Sequence, residues 1–227
     1  MKIVLESALC LGLALSSACV TSSPAERVAA DVANAYGAES FDEVTLLEYT
    51  FHVQLPGREV TRSWRWEPKL DRVTFLGPGE VHSYVRDDLE GLPDGDPLFA
   101  LDARFINDQY WLLFPMHLVW DTDLALTLDE ARAPISGLLV RRLTATYLAG
   151  AGYTPGDAYD LYLGADDRII EWVYHADGTA DPGRITTWSD PVRLPPLTLD
   201  LDHSGPESDF RVWFDPMTIH ASSTTSR

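Results

Sequence analysis

The sequence predicts an α+β fold, mainly β. The expected architecture is a long curled antiparallel sheet forming an unclosed half-barrel, with an N-terminal helix and a mid-chain helix packed on its concave face. Three observations carry this. Apolar residues alternate with period two in runs that recur from residue 44 to residue 214. Clusters of Gly, Pro and Asp punctuate these runs, as in an antiparallel meander. Helical signals stand out in two places, near the start and near the middle of the chain.

The first element is a helix over 24–36. Ser23 is a capping residue, Pro24 suits the first helical position and Glu26 closes a capping box. Val28, Val32, Ala35 and Tyr36 recur at helical spacing, and Gly37 suits the stop. The period then changes. In VTLLEYTFHVQL, residues Leu47, Tyr49, Phe51, Val53 and Leu55 share one face. Pro56-Gly57 is a turn, and EVTRSWRWEP returns with Val60, Trp64 and Trp66 on the same face as Arg62. Two more strands are expected at about 70–76 and 80–86, around GPG, followed by a loop over 87–97.

The second helix is expected from Pro97 to about Ile106, capped by Asp96. The stretch FINDQYWLLFP, Phe105 to Pro115, then reads as a joint. Asn107 suits a helix end, Asp108 is a turn residue, and Tyr110 to Phe114 re-enter the sheet as a strand. On this reading the Asp108 carboxylate is exposed or bonded to Arg104, and Asp108→Asn is mild. Further strands follow in LLVRRLTATYLA, AYDLYLG, RIIEWVYHA, RITTW, LTLDLD and DFRVWF, with SDP among the turns. Tyr159, Leu161 and Leu163 share a face, as do Ile170, Trp172 and Tyr174. A sheet of roughly ten strands tends to curl.

With 227 residues, 45% hydrophobic and 11% aromatic, the chain has material for one packed core. A net charge of −18, from 35 acidic and 17 basic residues, works against nucleic acid and against an anionic membrane surface. The start, MKIVLESALCLGLALSSACV, reads as a secretory signal: Lys2, then an apolar run over 3–15 broken by Glu6 and Ser7, then small residues. LSSAC at 15–19 is similar to the lipobox of bacterial lipoproteins, in which the Cys is lipidated. Ser16-x-Ala18 also suits ordinary signal peptidase, which would leave Cys19 free, but a single Cys placed at the cut favours lipidation. Loss of Cys10 with the signal leaves no disulfide and no Cys-based metal cage. The organisation expected is a signal over 1–18, a tether over 19–25, one domain over 26–220 and a frayed tail over 221–227.

Little in the sequence reads as chemistry. The histidines at 52, 82, 117, 175, 203 and 220 form no H-x-x-x-H or H-x-H pair, and no nucleophile elbow or phosphate loop is present. The carboxylate pairs Asp87-Asp88, Asp166-Asp167 and Asp200 with Asp202 fall in or beside expected turns, and PDGDP at 93–97 is too short for a calcium loop. No metal, no cofactor and no enzymatic activity are expected. A hydrolase using Asp108 or His117 is the remote alternative.

The segments FINDQYWLLFP, GYTPGDAYDLYLGADDRIIEWVYH and RSWRWEPKLDRV, together with a signal, a Cys, one helix and a long sheet interrupted by a second helix, resemble bacterial exported proteins of the LolA/LolB type. The resemblance covers about residues 26–215. It implies an unclosed barrel lidded by helices that shields acyl chains of lipoproteins, and no catalytic residues. The receptors of this type are lipidated and the carriers are not, so a modified Cys19 implies a receptor-like protein. The expected function is binding of a hydrophobic small molecule or lipid on the concave sheet face, at Tyr49, Phe51, Trp64, Trp66, Tyr159, Leu161, Ile170 and Trp172. The expected setting is a monomer on the periplasmic side of a bacterial membrane, held to the outer membrane through Cys19. The alternative is a structural or interaction module of the cell envelope whose cavity is filled by its own side chains.

Overall fold

The computed structural model describes residues 22–148, 155–179, 183–207 and 209–222. Cys19, the signal and the tail beyond 222 lie outside the described residues. The fold class is as the sequence predicts, and no described helix is long and apolar enough to cross a membrane.

Helix α1, Pro24–Tyr36, has the expected ends. Ser23 and Glu26 form the capping box, and Gly37 closes the helix at φ 98°. A Cβ on Gly37 would lie 2.7 Å from the Pro196 carbonyl oxygen, so only glycine fits both the dihedral and the space. Strands β1 (Val44–Leu55), β2 (Arg58–Glu67), β3 (Arg72–Gly77) and β4 (Glu80–Val85) form the meander. Helix α2 follows, then β5 (Leu124–Arg132), β6 (Leu139–Tyr147), β7 (Ala158–Leu163), β8 (Ile169–His175), β9 (Arg184–Thr187), β10 (Ser189–Leu194), β11 (Leu197–Ser204), β12 (Arg211–Phe214) and β13 (Thr218–Ala221).

The long sheet is divided in two. One has eight strands in the order β10-β11-β12-β1-β2-β3-β4, with β13 also pairing to β1, and the other runs β5-β6-β7-β8-β9. Neither closes. Only Trp188 separates β9 from β10, so the chain steps between sheets without a loop. Its N–H still bonds the Ile170 carbonyl (2.8 Å), while its ring packs on Trp172 and His203. SDP, expected as a turn, instead opens strand β10. There Asp190 takes φ 60° and is passed over in the pairing with β11, which keeps one register from Ser189 to Leu194. Pro191 is tolerated because β10 is an edge strand.

The structure departs furthest from the sequence expectation at FINDQYWLLFP. Helix α2 starts at Pro97 with Asp96 as its cap, as expected, but continues through the whole stretch to Trp120. There is no joint at Asn107 and no strand over 110–114. The helix is buried around most of its circumference, so its sequence carries no amphipathic stripe to read. It contacts both sheets. Phe105 packs on Trp64 and Trp66, and Phe114 packs on Tyr159 and Trp172.

Asp108 is accordingly 0% exposed. Arg62 grips it with two bonds, Nε to Oδ2 (2.6 Å) and Nη2 to Oδ1 (2.5 Å). Trp64 Nε1 donates to Oδ2 at 2.8 Å and Asn107 Nδ2 to Oδ1 at 3.0 Å. Burial pushes the carboxyl pKa up, and these donors oppose the shift. Arg104, the partner expected from the sequence, is exposed on the helix. Two further carboxylates reach from α2 and its cap. Asp102, also 0% exposed, accepts from Tyr84 and Arg86 Nε, both at 2.9 Å. Asp121 accepts from Tyr147 (2.5 Å), Tyr110 (3.0 Å) and His117 Nδ1 (3.0 Å). Burial raises the Asp121 pKa, but these bonds outweigh it and hold the carboxyl below its usual range. Asp200, expected beside a turn, lies in β11 and accepts from Tyr36 at 2.5 Å. The same hydroxyl accepts the Ile169 N–H at 3.2 Å, tying α1 to both sheets.

His203 is the buried group with the least support. It is 0% exposed, packed against Trp111, Trp188 and Phe214, and neither ring nitrogen makes a hydrogen bond of good geometry. The backbone of Thr187 and of Trp111 faces it. Pro115 has no N–H to give the Trp111 carbonyl four residues back, which leaves that oxygen available. Burial pushes the His203 pKa down to about 3, against the Asp202 charge and those backbone groups.

Asp108→Asn leaves the Arg62 guanidinium without a counter-charge and costs about 3–5 kcal/mol in urea unfolding. The double variant Arg62→Met with Asp108→Leu recovers most of that loss, and an Asp108→Asn midpoint within about 1 kcal/mol of the parent would show the pair to be dispensable. His203 stays neutral in the folded chain while the unfolded chain protonates it below about 6.5. The unfolded state therefore binds more protons in that window, and stability falls as pH falls. Relative to His203→Leu, the parent should lose about 1.4 kcal/mol more per pH unit between about 6 and 4, with no difference in slope above about 7.5. Parallel pH profiles for the two proteins would contradict this.

Candidate functional site

A cavity of about 430 Å³ opens where the two sheets diverge around α2. Its volume falls in the range of small-molecule sites, roughly 300–1,000 Å³. The sequence makes it in three steps. Strand β1 carries its apolar face on through Phe51, Val53 and Leu55, with burial decreasing along that path. Helix α2 presents Ala103, Ile106, Asn107 and Tyr110 at i, i+3, i+4 and i+7, one face of the helix. Ala103 and Asn107 are short, so the helix does not fill the space before β1. The opposite wall is Tyr159, Trp172 and Tyr174 from β7 and β8, and Phe210 and Val212 complete the lining.

The cavity is graded from inside to outside. Phe51, Ile106, Tyr159, Trp172 and Val212 form a buried apolar floor. Leu55, Tyr174 and Phe210 are half-buried at the rim, and Asn107 and Arg184 are exposed there. Polar groups are few. Arg62, bonded to Asp108, also lies over the Phe51 ring at 4.9 Å. Asp157 accepts from the Tyr174 hydroxyl (3.0 Å) and the Asp177 N–H (2.9 Å). Burial, then that bond to Asp157, pushes the Tyr174 hydroxyl up to about 12. Arg184 rests on Phe210 at 4.2 Å.

The sequence-predicted ligand residues divide into three groups. Phe51, Tyr159 and Trp172 line the cavity. Tyr49, Trp64 and Leu161 are buried in the core without lining it, and Trp66 lines a second cavity. Ile170 does not share a face with Trp172. A bulge between Tyr162 and Leu163 pairs Leu163 with Ile169, which enters the main core. Ile170 instead packs with Ala133, Tyr162 and Val173 in a small separate cluster. Of the cavity residues that sequence reasoning missed, the largest group lies on α2: Ala103, Ile106, Asn107, Tyr110 and Trp111. Their signal was the 103, 106, 107, 110 spacing, hidden by ending the helix at Ile106. Arg62 was visible as a cation on an apolar face.

The second cavity, about 440 Å³, lies beside the C-terminal half of α2 and shares Ile106 and Tyr110 with the first. It is lined by the Asp121 cluster of Tyr110, His117 and Tyr147. His117 Nε2 is buried without a partner while Nδ1 is held by Asp121. Among the described residues no group of three or more His, Cys, Asp or Glu side chains is arranged to hold a metal ion.

No protein-family model matches the sequence, and a search of curated proteins finds no match. Solved structures do match. A DUF1329 family protein from Desulfovibrio piger is 10% identical, with a TM-score of 0.47 over 90% of this chain and 96% of its own. A protein titled a putative outer membrane lipoprotein-sorting protein domain, from Vibrio parahaemolyticus, is 9% identical, with a TM-score of 0.45 over 89% and 93%. A LolA superfamily protein from Nitrosomonas europaea is 8% identical, with a TM-score of 0.51 over 88% of this chain and 94% of its own. At such identities the likeness speaks to architecture rather than activity. With two unclosed sheets around a buried helix, this chain has a LolA-like fold.

Proposed function

We propose that this chain is a non-enzymatic protein of the bacterial cell envelope that holds a hydrophobic chain, an acyl chain or lipid, in the cavity between β1, α2 and β8. The observation that carries the reading is the cavity itself. It is large, its buried floor is apolar and aromatic, and it grades to a half-exposed rim. Burial of apolar surface is then the main source of affinity. The LolA-like fold supports the same reading by analogy. The alternative, an envelope module whose interior is filled by its own side chains, fits less well with a space of this size.

The location belongs to the same proposal. Cys19 follows the signal and carries a lipid, which places the domain on the periplasmic side of the outer membrane. One acyl chain gives only marginal membrane binding, so the several chains of a lipoprotein Cys are what make such an anchor stable.

Ala103→Phe fills the cavity from the α2 side. It should weaken binding of the neutral fluorophore N-phenylnaphthylamine about tenfold while changing stability by less than about 1.5 kcal/mol. An unchanged affinity would move the ligand site elsewhere, and a parent protein that neither binds the fluorophore nor retains a lipid in native mass spectrometry would sink the reading. Mass spectrometry of the protein from membranes should show an acylated N-terminal Cys19. An unmodified chain beginning at Cys19 would replace anchoring with simple export.

A further inference from the structure

We infer that the cavity selects amphiphiles with an anionic head group, held at its rim by Arg184 with Arg62 behind it. This deepens the hydrophobic-ligand reading and rests on it. The chain carries 35 acidic residues against 17 basic ones, yet the charged residues lining the cavity are two arginines and one aspartate. The aspartate, Asp157, is already bonded to the Tyr174 hydroxyl and the Asp177 N–H. Arg184 is exposed at the rim with its guanidinium over Phe210, 4.2 Å from the ring centroid, a contact with a ring that also lines the cavity. Among the described residues no carboxylate lies within ion-pair distance of it. Arg62 spends Nε and Nη2 on Asp108, and its Nη1 makes no described hydrogen bond.

The placement matches an amphiphile. An apolar chain lies along the floor of Phe51, Ile106 and Trp172, and its head reaches the rim beside Arg184. A guanidinium donates to a carboxylate and to a phosphate with the same fork geometry. The shared chemistry is an anionic oxygen head group on a single apolar chain. A cationic head would meet two arginines, and a neutral one would gain only burial.

The experiment displaces N-phenylnaphthylamine from the full folded domain with four ligands of one chain length: dodecanoate, dodecyl phosphate, dodecanol and dodecyltrimethylammonium. The expected result is that at least one anion competes at about tenfold lower concentration than dodecanol, and the cation is weakest. That preference should fall to within about twofold in Arg184→Gln and shrink at high salt. Arg193→Gln, which removes an exposed arginine on β10 outside the cavity, should keep it. Which anion competes better distinguishes a fatty-acid source from a phosphorylated lipid. Equal competition by dodecanol or by the cation, or a preference that survives Arg184→Gln, overturns the inference and leaves the hydrophobic-ligand reading standing. Failure of all four ligands to displace the fluorophore ends both.

Discussion

The bidentate pair between Arg62 on β2 and Asp108 in the middle of α2 is the constraint on which the rest of the architecture depends. Helix α2 is apolar on nearly every side and packs on aromatic surfaces of both sheets. Apolar burial is non-directional and ring contacts accept several geometries, so many rotations and shifts of such a helix would bury similar area. A carboxylate at its centre removes that freedom. Asp108 has to meet Arg62 and Trp64, and moving it a turn away would leave a buried charge unpaired at a cost of several kcal/mol. The pair fixes which face of α2 meets the first sheet. It therefore also fixes which face, Ala103 to Tyr110, is left to line the cavity.

The other buried carboxylates extend the same device. Asp102 pins the N-terminal part of α2 to Tyr84 of β4 and to Arg86, while Asp121 pins its C-terminal end to Tyr147 of β6. One helix is thus tied to the first sheet at two points and to the second sheet at a third. A space between sheets normally closes by small rigid-body shifts, because interiors pack densely. Here such a shift would break charge-assisted hydrogen bonds. The polar clamps keep the sheets apart around the helix, and the cavity is the volume they prevent from closing.

Legibility in the sequence followed the range of the interactions. Helix α1 could be read to the residue because Ser23, Pro24, Glu26 and Gly37 all act within a turn or so of the chain. The β1–β2 hairpin could be read because alternation is local. Helix α2 could not, because a helix buried around most of its circumference has no polar stripe, and Asn107-Asp108 imitates the chemistry of a turn. What makes Asp108 helical and buried is Arg62, which lies 46 residues away in the chain. Its trace was present all the same. Arg62 shares a face with Val60, Trp64 and Trp66, and a cation on a core-facing stripe requires a buried partner. Ile170 was lost for a different reason: a single bulge reverses the alternation, and no residue type in the run announces it. The cavity floor was half legible, since strand faces could be read while the helix face that completes them could not.

The acidic composition therefore has two components that a net charge cannot separate. Most of the 35 carboxylates are exposed on the surface. A few, Asp102, Asp108, Asp157, Glu171 and Asp200, are buried and each meets a donor from a distant part of the chain. Glu171 shows how general the device is. It accepts from the backbone N–H groups of Ile135 and Ser136, and so fastens the β5–β6 turn over the outer cluster that contains Ile170. Each such bond costs desolvation and returns only a modest net stability. Its larger effect is on geometry, because it defines one arrangement of helix and sheet among many of similar apolar burial. In a domain with a cavity between its two sheets, that geometric constraint is what keeps a shaped space open where apolar packing alone would let it close.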